Sequence, residues 1–400
     1  MSGITGIGTT FTLPNYHGQL FALTPTDTPL LSAIGGLTGG GSTVSTSFEW
    51  QTYDLRAPGQ NVALEGATAP TAQERVRGNV TNVCQIHQEK VSVSYTRAGT
   101  SGMYATPGSA PFHTHGGVEN PVTDELDWQV QQALKSIALD VNFSFINGVH
   151  NNPTSNSTAR KTRGLIAAIT TNATNKGTVL ADAATATDTI TVTHALNNGD
   201  KVIFTDTGAA TNIVAGRVYF VVNKSTTVSF KVAETSGGSA LTLGTATVQI
   251  VAPWATDLTT TMIEDAITGV YDHGGLSNGL GTLLVNSAQK RAITAAYSTA
   301  YGKADLFSGT RDIAGVAAQT LETDFGRLNI VVDRHVPQDA IIVTSLDQLR
   351  PVFLNIPGKG VFFEEALAKT GSSDDVQIYG EIGLEYGNER AHGILRGLKV

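Results

Sequence analysis

Residue types that could do chemistry are few and scattered along this chain of 400 residues. Gly275-Leu276-Ser277-Asn278-Gly279 matches the pattern that lifts a serine nucleophile onto a strained turn, and Asp272 and His273 stand just before it. Such an elbow needs a strand before the serine and a helix after it. Here the periodicity predicts a helix before it (Thr259 to Tyr271) and a strand after it (Gly281 to Val285). The order is reversed, and adjacent residues 272 and 273 cannot readily stack as a relay. His113-Thr114-His115 offers two imidazoles for zinc or nickel, but a closed zinc site takes four ligands and no Cys or third His lies near in sequence. Gly279-Leu280-Gly281 is too short for a dinucleotide fingerprint, and Gly302-Lys303-Ala304 and Gly358-Lys359-Gly360 lack the phosphate-loop framework. Glu364-Glu365 and Asp374-Asp375 are adjacent, so their side chains diverge and read as solvated faces. Cys84 is the single cysteine, which excludes an intrachain disulfide framework, fits a reducing compartment and suits a small core or interface position. No catalytic, cofactor-binding or metal residue is assigned, no cofactor is expected, and the chain is not expected to be an enzyme.

Composition narrows the class further. Hydrophobic residues make up 40% and charged residues only 15%, against a usual charged share of about 25%. Abundant Val, Ile and Thr point to extensive β structure. The net charge is −8, whereas a protein that neutralises phosphates needs a basic surface. No stretch approaches the roughly 18 consecutive apolar residues of a membrane span, and Met1 to Pro14 lacks the basic and apolar regions of a signal peptide. The Asn-x-Ser/Thr sequences at Asn79, Asn142, Asn156, Asn172 and Asn223 therefore reflect only a chain rich in Asn and Thr.

The elements predicted from pattern fall into five segments. Residues 1–45, rich in Gly, Thr and Pro, read as an extended arm with one short helix near Pro29 to Ile34. Residues 46–98 read as a long hairpin. Its outgoing strand is Thr46 to Asp54, with Phe48 and Trp50 alternating against polar neighbours, and its return strand runs from Asn79 to Tyr95. The polar tip between them, Leu55 to Gly78, carries charges of both signs. A loop of that length inside a compact domain is usually functional. Residues 99–174 contain a Gly/Pro/His loop and a helix from Pro121 to Asn147, with Asn120 as N-cap and Asp124, Glu125 and Asp127 at the positive end of the dipole. Leu126, Val130, Ala133, Leu134, Ile137, Val141 and Phe145 give it an apolar stripe. At about 27 residues it is a rod of roughly 40 Å. Residues 175–253 read as a small all-β module, of immunoglobulin-like type, inserted into a larger domain. Its strands are expected at Thr189 to Val192, Lys201 to Thr205, Val218 to Val222, Thr227 to Val232 and Thr245 to Val251. Residues 254–400 return to mixed helix and strand, so the body is α+β. An arm and an outsized hairpin that cannot bury themselves suggest contacts between subunits.

The residues then become familiar. Phe48-Glu-Trp-Gln-Thr52, Asn61-Val-Ala-Leu-Glu-Gly66, Gly78-Asn79 and Val91-Ser-Val-Ser-Tyr-Thr96 resemble the extended loop of major capsid proteins of tailed, siphophage-type bacteriophages, which have the Hong Kong 97 fold. Thr282-Leu-Leu-Val-Asn-Ser-Ala-Gln-Lys-Arg291 resembles the axial-domain region of the same group. The resemblance spans residues 20–170 and 259–400, and the order and spacing of the motifs carry it. It implies an N-terminal arm (1–45), an extended β-hairpin loop (46–98), a peripheral domain (99–174) with a spine helix at 121–147, and an axial domain (254–400) that returns to the peripheral one. The inserted β domain (175–253) departs from the minimal pattern; Gly199-Asp-Lys-Val-Ile-Phe204, Gly216-Arg-Val-Tyr-Phe-Val-Val222 and Thr227-Val-Ser-Phe-Lys231 resemble modules found on phage virion proteins. The family's longer fused scaffolding segment is not expected.

The resemblance implies a structural role. Copies of the chain would join as hexamers and pentamers into an icosahedral shell around packaged double-stranded DNA, touched non-specifically on the inner face. The implied partners are other copies of the chain, portal and scaffolding proteins and a decoration protein, with no membrane. The implied location is the virion, after assembly in the bacterial host cytoplasm. Trp50, Tyr53, Arg56, Glu65, Arg75 and Arg77 are the candidate inter-subunit contacts. The alternatives are another virion component such as a tail protein, a serine hydrolase built on Ser277, and a surface adhesin.

Overall fold

The computed structural model describes residues 23–72, 74–100, 125–225, 227–253, 257–276, 280–305, 320–369 and 371–400. Ser277, His113 and His115 lie outside these. The described residues form two compact units. One draws on the described residues within 23–27, 88–137 and 363–379, the other on those within 28–87, 138–362 and 380–400.

The first unit is a small sheet with a helix. Strands Gln85–Ser94 and Phe362–Ala366 both pair with the long strand Ser373–Glu385. Val91 and Val93 point inward while Lys90, Ser92 and Ser94 point out, the period-two pattern of a half-buried strand. On the outer row, the Asp375 carboxylate takes the Lys90 ammonium at 2.7 Å and the Ser92 hydroxyl at 2.6 Å. The long helix is observed over Glu125–Asn147, and its part up to Ile137 belongs here. Its first turn is tied by Glu125, whose Oε1 accepts Arg97 Nη2 at 2.9 Å and Gln129 Nε2 at 2.8 Å. Ala133 and Ile137 are buried, but Leu134 is 42% exposed. The expected stripe is therefore narrower than its spacing suggested, because at 100° per residue Leu134 falls off the row defined by Ala133 and Ile137.

The second unit carries a six-stranded mixed sheet in the order Thr320–Thr323, Gly326–Val332, Leu280–Val285, Ile341–Thr344, Gly393–Arg396, Ala173–Asn175. Leu280–Val285 runs parallel to Gly326–Val332 and antiparallel to Ile341–Thr344. Helices Thr260–Asp272 and Ser287–Asp305 supply Ile263, Ile267, Val270 and Ile293 to the same core as Leu283, Leu328 and Val343. Gly281 is glycine for a steric reason, since a Cβ there would lie 2.3 Å from Leu276 Cδ2 and from Leu328 Cδ2.

Residues 178–252 of this unit form the inserted β module. Six strands, Thr178–Ala186, Thr189–Thr191, Lys201–Asp206, Val218–Ser225, Ser229–Ala233 and Ala246–Ala252, close into a barrel around Phe204, Tyr219, Phe230 and Ile250. The immunoglobulin-like expectation implies two facing sheets; the strands instead close on themselves, which removes their free edges. Thr178–Ala186 was absent from the expected strands. It is Ala-rich, hence poor in strand propensity, and bulges at Asp182 (φ 52°), where pairing steps from Ala183↔Val248 to Leu180↔Ile250.

The C-terminal half of the long helix acts through Asn142, which is fully buried. Its Oδ1 accepts the Leu31 amide of the short helix Pro29–Ile34 at 3.0 Å, and its Nδ2 donates to Asp333 Oδ2 at 2.9 Å. One amide thus joins three segments, 31, 142 and 333.

In the first unit the Lys90 ammonium, then the Ser92 hydroxyl, hold the Asp375 carboxyl down to about 2. A value depressed by folding contributes stability above the ordinary carboxylate range and loses it as pH falls through the folded value. Asp375→Asn should therefore lower Tm near pH 6, and the gap to the unsubstituted protein should close as the pH approaches about 2. Thermal unfolding of both proteins across that range checks it.

Candidate assembly interface

The hairpin is built on a short two-stranded ribbon. Ser47–Tyr53 and Arg77–Val83 pair in unbroken antiparallel register from Ser47↔Val83 to Tyr53↔Arg77. The expected return strand from Asn79 to Tyr95 is interrupted at Cys84. Arg77–Val83 belongs to the ribbon, while Gln85–Ser94 pairs with Ser373–Glu385 in another sheet. Cys84 sits at the change of sheet, fully buried, with its amide on Thr46 O at 2.8 Å. Burial, with the nearby Glu381 carboxylate, pushes its thiol up to about 12, so it is not a nucleophile at neutral pH.

The root of the ribbon is fastened to the body. Asn82, opposite Phe48, is fully buried. Its Nδ2 donates to Leu384 O at 2.7 Å and Arg163 O at 3.2 Å, and its Oδ1 accepts the Arg163 amide at 2.8 Å and the Val83 amide at 2.9 Å. Trp50 donates its indole N–H to Gly387 O at 2.8 Å and stands edge-on to Tyr386, ring centres 4.8 Å apart. Phe48 stacks on Trp50 at 6.0 Å. A partly buried ion pair, Arg160 Nη2 to Glu381 Oε2 at 2.9 Å, lies beside Cys84 and braces the same region.

Among the described residues the loop beyond Tyr53 has one ion pair to the body, Asp54 Oδ2 to Arg390 Nη1 at 4.0 Å, at its very start. Tyr53 is 71% exposed at the last registered pair, and Arg77 there donates to Gln51 Oε1 at 3.0 Å. Beyond, residues 54–76 run without strand or helix and turn at Glu65-Gly66. Arg56 and Arg75 reach only the carbonyls of their neighbours Ala57 and Glu74. Among the described residues no ion pair involves Arg56, Glu65, Glu74 or Arg75. The structure thus separates the six candidate contacts. Tyr53, Arg56, Glu65, Arg75 and Arg77 lie on the surface of the ribbon and loop. Trp50 is drawn into its own chain, because its indole has both a carbonyl acceptor and an aromatic partner there.

Asn82 and Asn142, which fix the ribbon and the helix, were not among the expected site residues. The only sequence signal was a polar side chain interrupting an apolar row. His273, which precedes Ser277 in sequence, has a structural partner: its Nδ1 meets Gly269 O at 2.7 Å at its helix end. Among the described residues no group of three His, Cys, Asp or Glu could hold a metal ion, and no helix is long and apolar enough to cross a membrane. A polar cleft of about 550 Å³ lies in the first unit between Lys90, Ser92, Arg97, Gln129 and Gln132. Both of its cations are already paired, Lys90 with Asp375 and Arg97 with Glu125.

A short ribbon with a long loop rooted on an α+β body, a long helix and a helix-covered mixed sheet are the elements of the Hong Kong 97 fold of capsid proteins. Solved structures similar to the chain carry the same fold. The capsid asymmetric unit of cyanophage A-1(L) is 11% identical at a TM-score of 0.54, covering 96% of this chain and 97% of that one. The capsid of a native GTA particle is 11% identical at 0.51, covering 98% of each. A chain of Mycobacterium phage Bobi is 10% identical at 0.50, covering 97% and 96%. No curated protein matches the chain. The family is settled by sequence: the chain belongs to the SU10 major capsid protein family, whose model matches residues 3–399. It is a shell-forming component of the virion.

Trp50→Ala should destabilise the protein by about 2–3 kcal/mol, through lost packing and a lost indole bond. Trp50→Phe, which keeps the ring and loses the bond, should cost about 1 kcal/mol. Denaturant unfolding of the two variants reads the difference.

Proposed function

We propose that copies of this chain join as hexamers and pentamers into an icosahedral shell around packaged double-stranded DNA, with the loop of residues 54–76 laid on a neighbouring copy. One observation carries the reading: the loop displays Leu55, Val62, Leu64 and Val76 at 69–86% exposure at the far end of a ribbon fastened at its root. Apolar side chains held out in this way belong against another surface. A second copy is the natural one, because a repeated heterologous contact closes into rings when the rotation permits. Arg56, Glu65, Glu74 and Arg75, without ion pairs among the described residues, can pair across that contact.

In this reading residues 1–45 are an arm toward a further subunit and 46–98 the extended loop. Residues 99–174 form the peripheral domain, 175–253 an outward-facing insertion, and 254–400 the axial domain with its return. The role is structural rather than catalytic. Portal and scaffolding proteins and a decoration protein are the other partners, and assembly takes place in the bacterial host cytoplasm. A net charge of −8 suits a container that must hold DNA without adsorbing it tightly.

The test is the double variant Val62→Asp/Leu64→Asp. Both side chains are exposed, so stability should change by no more than about 0.5 kcal/mol. Shells or capsomer rings seen by negative-stain electron microscopy with the unsubstituted chain should be lost. Unimpaired shell formation by the variant would refute the loop as an inter-copy contact.

A further inference from the structure

The inserted barrel is a closed unit with its own core, and its two ends meet, since Thr178 pairs with Ala252. Such a module could hang on two strands of chain and swing. The contacts around its base forbid that.

Three consecutive residues of the body, Pro337, Gln338 and Asp339, form a seat. Gly216 of the barrel packs on Pro337, where a Cβ on Gly216 would lie 3.1 Å from the proline ring. The Gln338 amide donates to Gly216 O at 3.3 Å. The buried Asp339 holds the last segment of the chain: its Oδ2 accepts the Gly397 amide at 3.1 Å and its backbone O the Leu398 amide at 3.0 Å. Gln289 ties seat and segment together, donating Nε2 to Gln338 O at 2.7 Å and to Lys399 O at 2.9 Å.

That last segment grips the barrel and both its legs. On the entering leg, the Lys176 amide donates to Arg396 O at 2.9 Å, and Gly397 (φ 70°) lies so close to Gly177 that no Cβ fits at either. On the leaving leg, Lys399 Nζ meets Asp257 Oδ1 at 2.7 Å. From the barrel wall, Lys201 Nζ donates to Val400 O.

We propose that the loop Pro337–Asp339 and the segment Gly397–Val400 form a clasp that mounts the barrel in one fixed orientation on the body. The barrel is then a rigid fixture rather than a tethered ornament. The clasp does not depend on the shell reading, because every contact in it lies within one chain.

Hydrogen exchange of the full unassembled chain tests it. Lys201→Ala/Gly216→Asn opens the barrel side of the clasp; Asn tolerates a positive φ such as that of Gly216 (79°), so the barrel turn survives while the Pro337 contact does not. Gln289→Leu opens the body side without touching the barrel. In both variants the amides of Lys176, Gln338 and Leu398 should exchange about tenfold faster, as for a local opening. The Val221 amide, bonded inside the barrel to Asp200 O at 2.8 Å, should keep its protection. Junction amides that exchange at the unsubstituted rate in both variants would overturn the clasp. So would joint loss of Val221 protection, or failure of both variants to fold, since barrel and body would then be one cooperative unit.

Discussion

A two-stranded ribbon cannot stabilise itself in water, because too little of its surface is covered by its own residues. Everything distinctive in this chain answers that constraint. The ribbon of Ser47–Tyr53 and Arg77–Val83 is held at one end by three hydrogen bonds of Asn82 to Arg163 and Leu384 and by the Trp50 indole on Gly387. Its other end is left with apolar side chains in solvent. A free monomer gains nothing from that arrangement. In the proposed shell the exposed end would be completed when copies come together, and the firm root fixes where it can reach.

The body spends its polar residues on joints. Asn142 joins an arm helix, the long helix and the sheet loop at Asp333. His392 is fully buried between Thr344 Oγ1 at 2.8 Å and Tyr386 O at 3.0 Å. Burial lowers its pKa, so it serves as a neutral linker, one nitrogen accepting and the other donating. These groups have the residue types of catalysts but every polar atom faces a structural partner.

Much of this was legible in the sequence where a periodic pattern met a hydrophobic face. Phe48 and Trp50 alternating with polar residues marked the outgoing strand, and the short helix stands at Pro29–Ile34 as read. The order of motifs pointed to the capsid family. The failures have physical causes. The run from Asn79 to Tyr95 reads as one alternating strand, yet its halves pair with different partners; alternation reports which face is buried, not which strand lies alongside. The strand Thr178–Ala186 is Ala-rich and bulged, so propensity hid it. Trp50 was named among the candidate inter-subunit contacts, and its indole acceptor, Gly387, lies 337 residues away in sequence. No local signal could announce that contact.

The central claim is that the loop beyond the ribbon finds its partner on another copy. A cryo-electron microscopy reconstruction of particles assembled from the full chain tests it most directly. The account predicts residues 54–76 ordered against a neighbouring copy, with Val62 and Leu64 buried and Arg56, Glu65 or Arg75 paired across the contact. A shell in which that loop stands free in solvent, or folds back on its own chain, would contradict it.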